Sequence, residues 1–347
     1  MKKKLLALFL AAATAFSLTA CGSAPAKSDE QDQAETSKGE ASDTKKITFV
    51  LDWTPNTNHT GLYVAQEKGY FTEAGLEVEI VQPPEDGAEA LVASGKAQFG
   101  VSFQDTMAPA LVGDAALPIT AVAALVQHNT SGIISRKGEG MDRPKGLENH
   151  TYSTWDSPIE LAMLKAVVEK DGGDFSKVKL IPNNITDEAG ALKAHQTDAV
   201  WIYYGWSGIA AELSGLDFDY FSFIDIDPVF DYYTPILIGN NAYMEQNPDS
   251  TKALLAALKK GYEYAIANPE EAAQILVDGD TTGSLKDSLE LVTASQKWIS
   301  GQYKAEVEQW GYIDPARWDA FYQWLWDNQL IEKELPAGTG FTNEYLS

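Results

Sequence analysis

The chain has 347 residues, a formal net charge of −24 and a single cysteine, Cys21. An acidic balance of this size leaves no basic stripe to neutralise phosphates, which sets nucleic-acid binding aside. Nothing after Cys21 can form a disulfide, a thiolate metal site or a cysteine nucleophile, and a chain this long buries a sizeable core without them.

The first four residues, Met1-Lys2-Lys3-Lys4, set three positive charges ahead of an uncharged apolar run over 5–18. That run is too short to span a membrane and suits the core of a signal peptide. It ends Leu18-Thr19-Ala20-Cys21-Gly22, the pattern of a bacterial lipoprotein: a signal peptide over 1–20, cleavage before Cys21 and lipid on the Cys21 thiol. The protein is then expected to be exported and held on the outer face of the cell membrane. Residues 22–46 contain no aromatic residue and no Val, Ile or Leu, so they cannot bury enough to order themselves. Residues 21–45 are thus expected to be a lipidated cysteine and its tether.

From residue 47 short β-rich runs alternate with helical patterns. A strand over 47–51 is followed by a helix over 58–68 that Gly69-Tyr70-Phe71 stops. Next come a strand over 76–81 closed by Pro83-Pro84, a helix over 88–94 and a strand over 99–103. Strands separated by such helical stretches indicate parallel βαβ units. Segments 119–126 and 132–135 are strand-like. After a loop over 138–146 a second series begins: a strand over 151–155, a helix opened by Ser157-Pro158 with Leu161, Leu164 and Val168 on one face, then strands over 178–181 and 199–203. The run 233–239 reads as a strand returning to the first series. Beyond it, Leu254, Leu258, Tyr262 and Ala265 mark a helix ended by Asn268-Pro269, and Trp318, Phe321, Tyr322 and Leu325 mark a final one. Such aromatic stripes belong to packing. The chain is expected to be α/β in two lobes, 46–135 with 235–347 and 136–234, alike in architecture without an internal sequence repeat.

In open α/β sheets ligands bind beyond the carboxyl ends of the parallel strands, which selects a few loops. After the first strand, Asp52 and Trp53 are candidates, because turn chemistry does not explain a Trp in a solvent-facing loop. Asn58 and His59 stand in the same loop, although Pro55 and Asn58 also serve turn and cap. After the third strand come Phe103 and Gln104, with Asp105 or Thr106 capping the next helix. In the second lobe Trp155, Asp156 and Ser157 repeat the strand, polar turn and helix arrangement. There Asp156 or Ser157 is the N-cap, and Trp155 either faces the cleft or packs. Tyr203, Tyr204 and Trp206 around Gly205 suit stacking on a flat ring, with some of them packing instead, and Tyr233 lies near the hinge. His59, His128, His150 and His195 fit no metal-binding spacing, and there is neither a Gly-rich phosphate loop nor a G-x-S-x-G elbow, so no catalytic residue, metal or cofactor is expected.

The stretch 47–103 carries Leu51-Asp52-Trp53-Thr54-Pro55-Asn56, Gly61-Leu62-Tyr63-Val64-Ala65, Lys68-Gly69-Tyr70-Phe71 and Gly95-Lys96-Ala97-Gln98-Phe99-Gly100. With Trp201-Ile202-Tyr203-Tyr204-Gly205-Trp206 and Tyr232-Tyr233-Thr234-Pro235, it resembles the substrate-binding proteins of importers for thiamine-pyrimidine precursors. The resemblance implies a two-lobed periplasmic-binding-protein fold of the Venus-flytrap type II, with two doubly wound sheets and a cleft between them. It also implies a monomer that takes a formylated aminopyrimidine and meets an ABC importer permease and its ATPase. Asp52 and Trp53 match the motif that holds the pyrimidine. Relatives often continue Tyr204-Gly205-Trp206 with an acidic residue, where this chain has Ser207. Sulfonate- and riboflavin-type binders look similar, but the expected cleft loops hold no Arg for a sulfonate. The iron-dependent pyrimidine synthases of the same superfamily carry a cysteine-rich segment, which this chain lacks.

Overall fold

Apolar and aromatic runs between helical stretches fold here into two five-stranded sheets. In chain order the strands are β1 (Lys45–Val50), β2 (Leu76–Val81), β3 (Phe99–Ser102), β4 (Ile119–Ala124), β5 (Ser131–Arg136), β6 (Thr151–Thr154), β7 (Lys179–Pro182), β8 (Ala199–Tyr203), β9 (Phe218–Ser222) and β10 (Ile236–Asn240). The computed structural model describes residues 44–85, 87–113 and 116–346. The expected signal peptide, Cys21 and nearly all of the tether therefore lie outside the described residues.

The first sheet has the order β2-β1-β3-β10-β4 and the second β7-β6-β8-β5-β9. In each, three parallel strands adjoin a fourth that runs antiparallel to both its neighbours. That fourth strand arrives from the other sheet: β5 after the chain leaves the first sheet, β10 after it leaves the second. The two lobes thus share one topology and are joined by two crossings, residues 125–130 and 223–235. The expected boundary at 135/136 is corrected by this pairing. It would cut through β5, which pairs along its length with β8 and β9. Strand β9 lacked a sequence signal, since Asp217 and Asp219 interrupt its aromatics and it lies at a half-buried sheet edge.

Alternation along the strands distributes the core. Ile47, Phe49 and Leu51 enter one cluster with Tyr262, Tyr303 and Trp310, whereas Val50 points to the opposite face and joins a second cluster. In the second lobe Trp201 joins that second cluster, while Val200 and Ile202 pack with Ile134 and Ala211 in a third. The helix Pro248–Ala267 buries Leu254, Leu258, Tyr262 and Ala265 against the helix Thr60–Glu67. Two glycines permit the approach: a Cβ on Gly261 would stand 2.0 Å from the Gly61 carbonyl oxygen. The helix Pro315–Asp327 buries Trp318, Phe321, Tyr322 and Leu325 and clamps the second crossing, with Phe321 stacked on Tyr232 at 4.1 Å. Among the described residues no helix is long and apolar enough to cross a membrane.

Candidate functional site

The loop after β1 is shaped by its own polar groups. The Asn56 side chain caps the turn Thr57–His59 by accepting from the Asn58 N–H at 2.9 Å. In return the Asn56 N–H donates to His59 Nδ1 at 3.2 Å, which leaves the ring proton on Nε2 to donate to Asp52 Oδ1 at 2.6 Å. His59 is 1% exposed. The ring that was a candidate for ligand contact is thus closed off from solvent and holds Asp52. Asn58 is half-buried, and its backbone carbonyl accepts from the Tyr262 hydroxyl at 2.7 Å. Trp53, beside Asp52, is 57% exposed.

After β6 the second lobe repeats the form with different parts. Ser157 is the N-cap of the helix Pro158–Lys170 in a capping box with Glu160. The buried Glu160 carboxylate also accepts from the Tyr152 hydroxyl at 2.7 Å, the Thr154 hydroxyl at 2.8 Å and the Trp155 N–H at 3.0 Å. This network turns the chain outward: Asp156 takes a left-handed φ of 61°, and the exposed Trp155 ring lies 5.7 Å from Trp201. A cavity of about 390 Å³ opens between Thr154, Trp155, Pro182, Asn183 and Asn184. The two asparagines were not anticipated, although they follow the carboxyl end of β7 as the strand-end rule requires.

The loops of the two lobes meet. Thr57 donates from Oγ1 to Ser295 Oγ at 2.6 Å, and Ser295 donates onward to the Gly205 carbonyl, which links the loop after β1 to the turn after β8. Tyr203, at the end of β8, accepts from Thr234 Oγ1 at 3.4 Å. Burial raises the pKa of its hydroxyl, and the charges of Asp105 and Asp52 add to the effect. Tyr204 turns aside, its ring 5.0 Å from Tyr220 and 5.4 Å from Trp298, and its hydroxyl donates to Glu212. It lines a second cavity of about 330 Å³ with His128, Asn129, Tyr220 and Trp298. Trp206 packs against the first-lobe core. The Ser207 side chain hydrogen-bonds Glu188, whose carboxyl is pushed upward in pKa by burial.

Two further candidates prove to be structural. Gln104 is fully buried, and its amide donates to the Trp318 carbonyl at 2.8 Å and accepts from the Tyr233 N–H at 2.9 Å. Tyr233 is also fully buried, and its hydroxyl accepts from the Asp314 N–H at 2.8 Å and from Arg317 at 2.5 Å. Phe103 is half-buried at the N-cap position of the helix Gln104–Ala110. Of the strand-end candidates, Trp53, Trp155 and Asp156 are exposed, while Asp52, Asn58, Phe103, Ser157 and Tyr203 are half-buried.

A family model described as NMT1/THI5 like matches residues 56–272. A formylaminopyrimidine-binding protein of Halalkalibacterium halodurans is 29% identical over 299 residues, covering 86% of this chain and 89% of the relative. A 4-amino-5-hydroxymethyl-2-methylpyrimidine phosphate synthase of Saccharomyces cerevisiae, THI13, is 26% identical over 337 residues, covering 88% of each chain. Among solved structures, the periplasmic aliphatic sulphonate binding protein SsuA of Escherichia coli superposes with a TM-score of 0.64 at 13% identity, covering 85% of this chain and 97% of that one. The fold is accordingly the two-lobed periplasmic-binding-protein fold, with a cleft between two doubly wound sheets.

Proposed function

Because the chain belongs to the NMT1/THI5-like family, we propose that it is an extracytoplasmic solute-binding protein that closes its lobes on an aminopyrimidine, a thiamine precursor, and delivers it to an ABC importer. The observation that carries this reading is the pair of indoles, Trp53 at 57% and Trp155 at 46% exposure, just beyond the ends of β1 and β6. Exposed Trp at both walls of a cleft suits a flat ring, and each stacking contact is worth about 0.5–1.5 kcal/mol beyond its area. Asp52, held by His59, supplies a carboxylate for an exocyclic amine or a ring N–H, worth about 1.5–3 kcal/mol as a charge-assisted hydrogen bond. Two relatives support the same ring: one is named for a formylaminopyrimidine and the other for a phosphorylated aminopyrimidine. The relative named as a binding protein and the solved sulphonate-binding neighbour support reading the protein as a carrier and not an enzyme.

Calorimetric titration with 4-amino-5-hydroxymethyl-2-methylpyrimidine, riboflavin and an alkanesulfonate tests the reading. The aminopyrimidine should bind most tightly; tighter binding of the sulfonate or the flavin would overturn it. We place the protein on the outer face of the membrane through lipid on Cys21, from the Leu18-Thr19-Ala20-Cys21 junction. Cys21→Ser should move it from the membrane fraction to the soluble one, and unchanged retention would rule the anchor out.

A further inference from the structure

Asp105 lies at the second position of the helix Gln104–Ala110, just beyond the carboxyl end of β3. Its Oδ1 is buried and meets no hydrogen-bond partner, and among the described residues it is the one carboxylate oxygen so placed. A buried acceptor left without a partner is costly, and such a group calls for an explanation. The Asp105 charge acts on the hydroxyls of Tyr203, Tyr232 and Tyr322, and each of these is engaged elsewhere. Tyr322 donates to the Gln104 carbonyl at 3.2 Å, while Tyr203 and Tyr232 hydrogen-bond one another. The charge of Asp52, in the loop after β1, acts on the same Tyr203 hydroxyl. Two carboxylates from two strand ends of the first lobe thus act electrostatically on one tyrosine of the second.

We propose that Asp105 selects the ligand: its free Oδ1 accepts an N–H from an amino-bearing heterocycle held beside Tyr203, and together with Asp52 it turns anions such as sulfonates away. This inference rests on the aminopyrimidine reading above. Burial pushes the Asp105 carboxyl up to about 6, with the Glu89 charge adding to it and the N–H groups of Thr106 and of Asp105 itself pulling the other way. Since the folded value is raised, ionised Asp105 costs stability that grows as pH rises from the ordinary carboxylate range through about 6. A bound N–H repays that cost only to the ionised form, so affinity falls as pH drops below about 6.

The test compares the full chain with Asp105→Asn, titrated with 4-amino-5-hydroxymethyl-2-methylpyrimidine and with the analogue in which methyl replaces the 4-amino group. At about pH 7.5 the wild type should prefer the amino compound by about tenfold or more, and lose most of that preference near pH 5. Asp105→Asn should shrink the preference to about threefold or less at both pH values. Its melting temperature at the higher pH should equal or exceed that of the wild type, because a buried charge has been removed. A variant that discriminates as well as the wild type overturns the proposal, as does one that loses both ligands equally with a lower melting temperature. If the wild type binds neither pyrimidine, the ligand reading itself fails, and no behaviour of Asp105→Asn would rescue it.

Discussion

A tryptophan gains about 1.5–3 kcal/mol or more from full burial, yet Trp53 stands 57% exposed just beyond a strand whose last two residues, Phe49 and Val50, are buried. Because it contributes little to the core, its removal should be felt by the ligand and not by the fold. Trp53→Ala is expected to weaken aminopyrimidine binding by about tenfold, the loss of one stacked face with its buried area. Its melting temperature should stay within about a degree of the wild type, as for surface substitutions generally. Calorimetry and thermal unfolding of the same preparation check both halves, and a large fall in melting temperature would assign Trp53 to packing. Gln104, Tyr233 and His59 have the polar chemistry of ligand contacts, but their hydrogen bonds are spent on the Trp318 carbonyl, Arg317 and Asp52.

At the scale of elements, the cleft loops keep their form because what lies under them is rigid. The helix Thr60–Glu67 continues directly from the Asp52 loop and packs on the helix Pro248–Ala267 through Gly61 and Gly261. Gly61 is equally confined, since a Cβ there would stand 2.3 Å from the Tyr262 ring. Gly261→Ala would force a methyl onto a backbone carbonyl, which cannot rotate away as a side chain can. Overpacking of this kind costs about 1–3 kcal/mol, and the backbone contact puts this case at the upper end. Urea unfolding should show the midpoint falling with an unchanged slope. Equal stability in variant and wild type would mean that the two helices separate freely.

At the scale of the whole molecule, charged groups gather where the chain crosses between lobes. His128, on the first crossing, faces Asp231 Oδ2 of the second crossing at 2.7 Å through Nδ1, and Glu306 Oε2 at 2.8 Å through Nε2. Arg317 joins from the last long helix, 3.0 Å from Asp231. Two carboxylates on the two ring nitrogens call for the imidazolium, because a neutral ring donates only once. The hydrogen bond to Asp231 raises the pKa of His128 most, Glu306 adds to it, and burial and Arg317 oppose. A raised folded value means that the stabilisation is complete below the ordinary histidine pKa and disappears as pH rises through the folded one. The difference in melting temperature between wild type and His128→Gln should thus be largest in mild acid and shrink toward alkaline pH. A difference independent of pH would show that the ring acts here by packing alone.

The sequence by itself determined the α/β class, the strands β1 to β3 and β6 to β8, and the return of the chain near residue 236. These follow from local causes: apolar alternation, Pro and Gly punctuation, and caps such as Ser157. The tertiary structure alone decided which side chains at the strand ends are exposed and which are buried. Gln104 follows Phe103 at a strand end and reads as a site residue, but Tyr233 and Trp318, more than a hundred positions away, take both ends of its amide. Likewise β5 is indistinguishable from a first-lobe strand until β8 and β9 pair with it. Periodicity and capping are properties of neighbours along the chain. The partner of a polar atom, and the sheet that a strand joins, are set by residues that only the fold brings near.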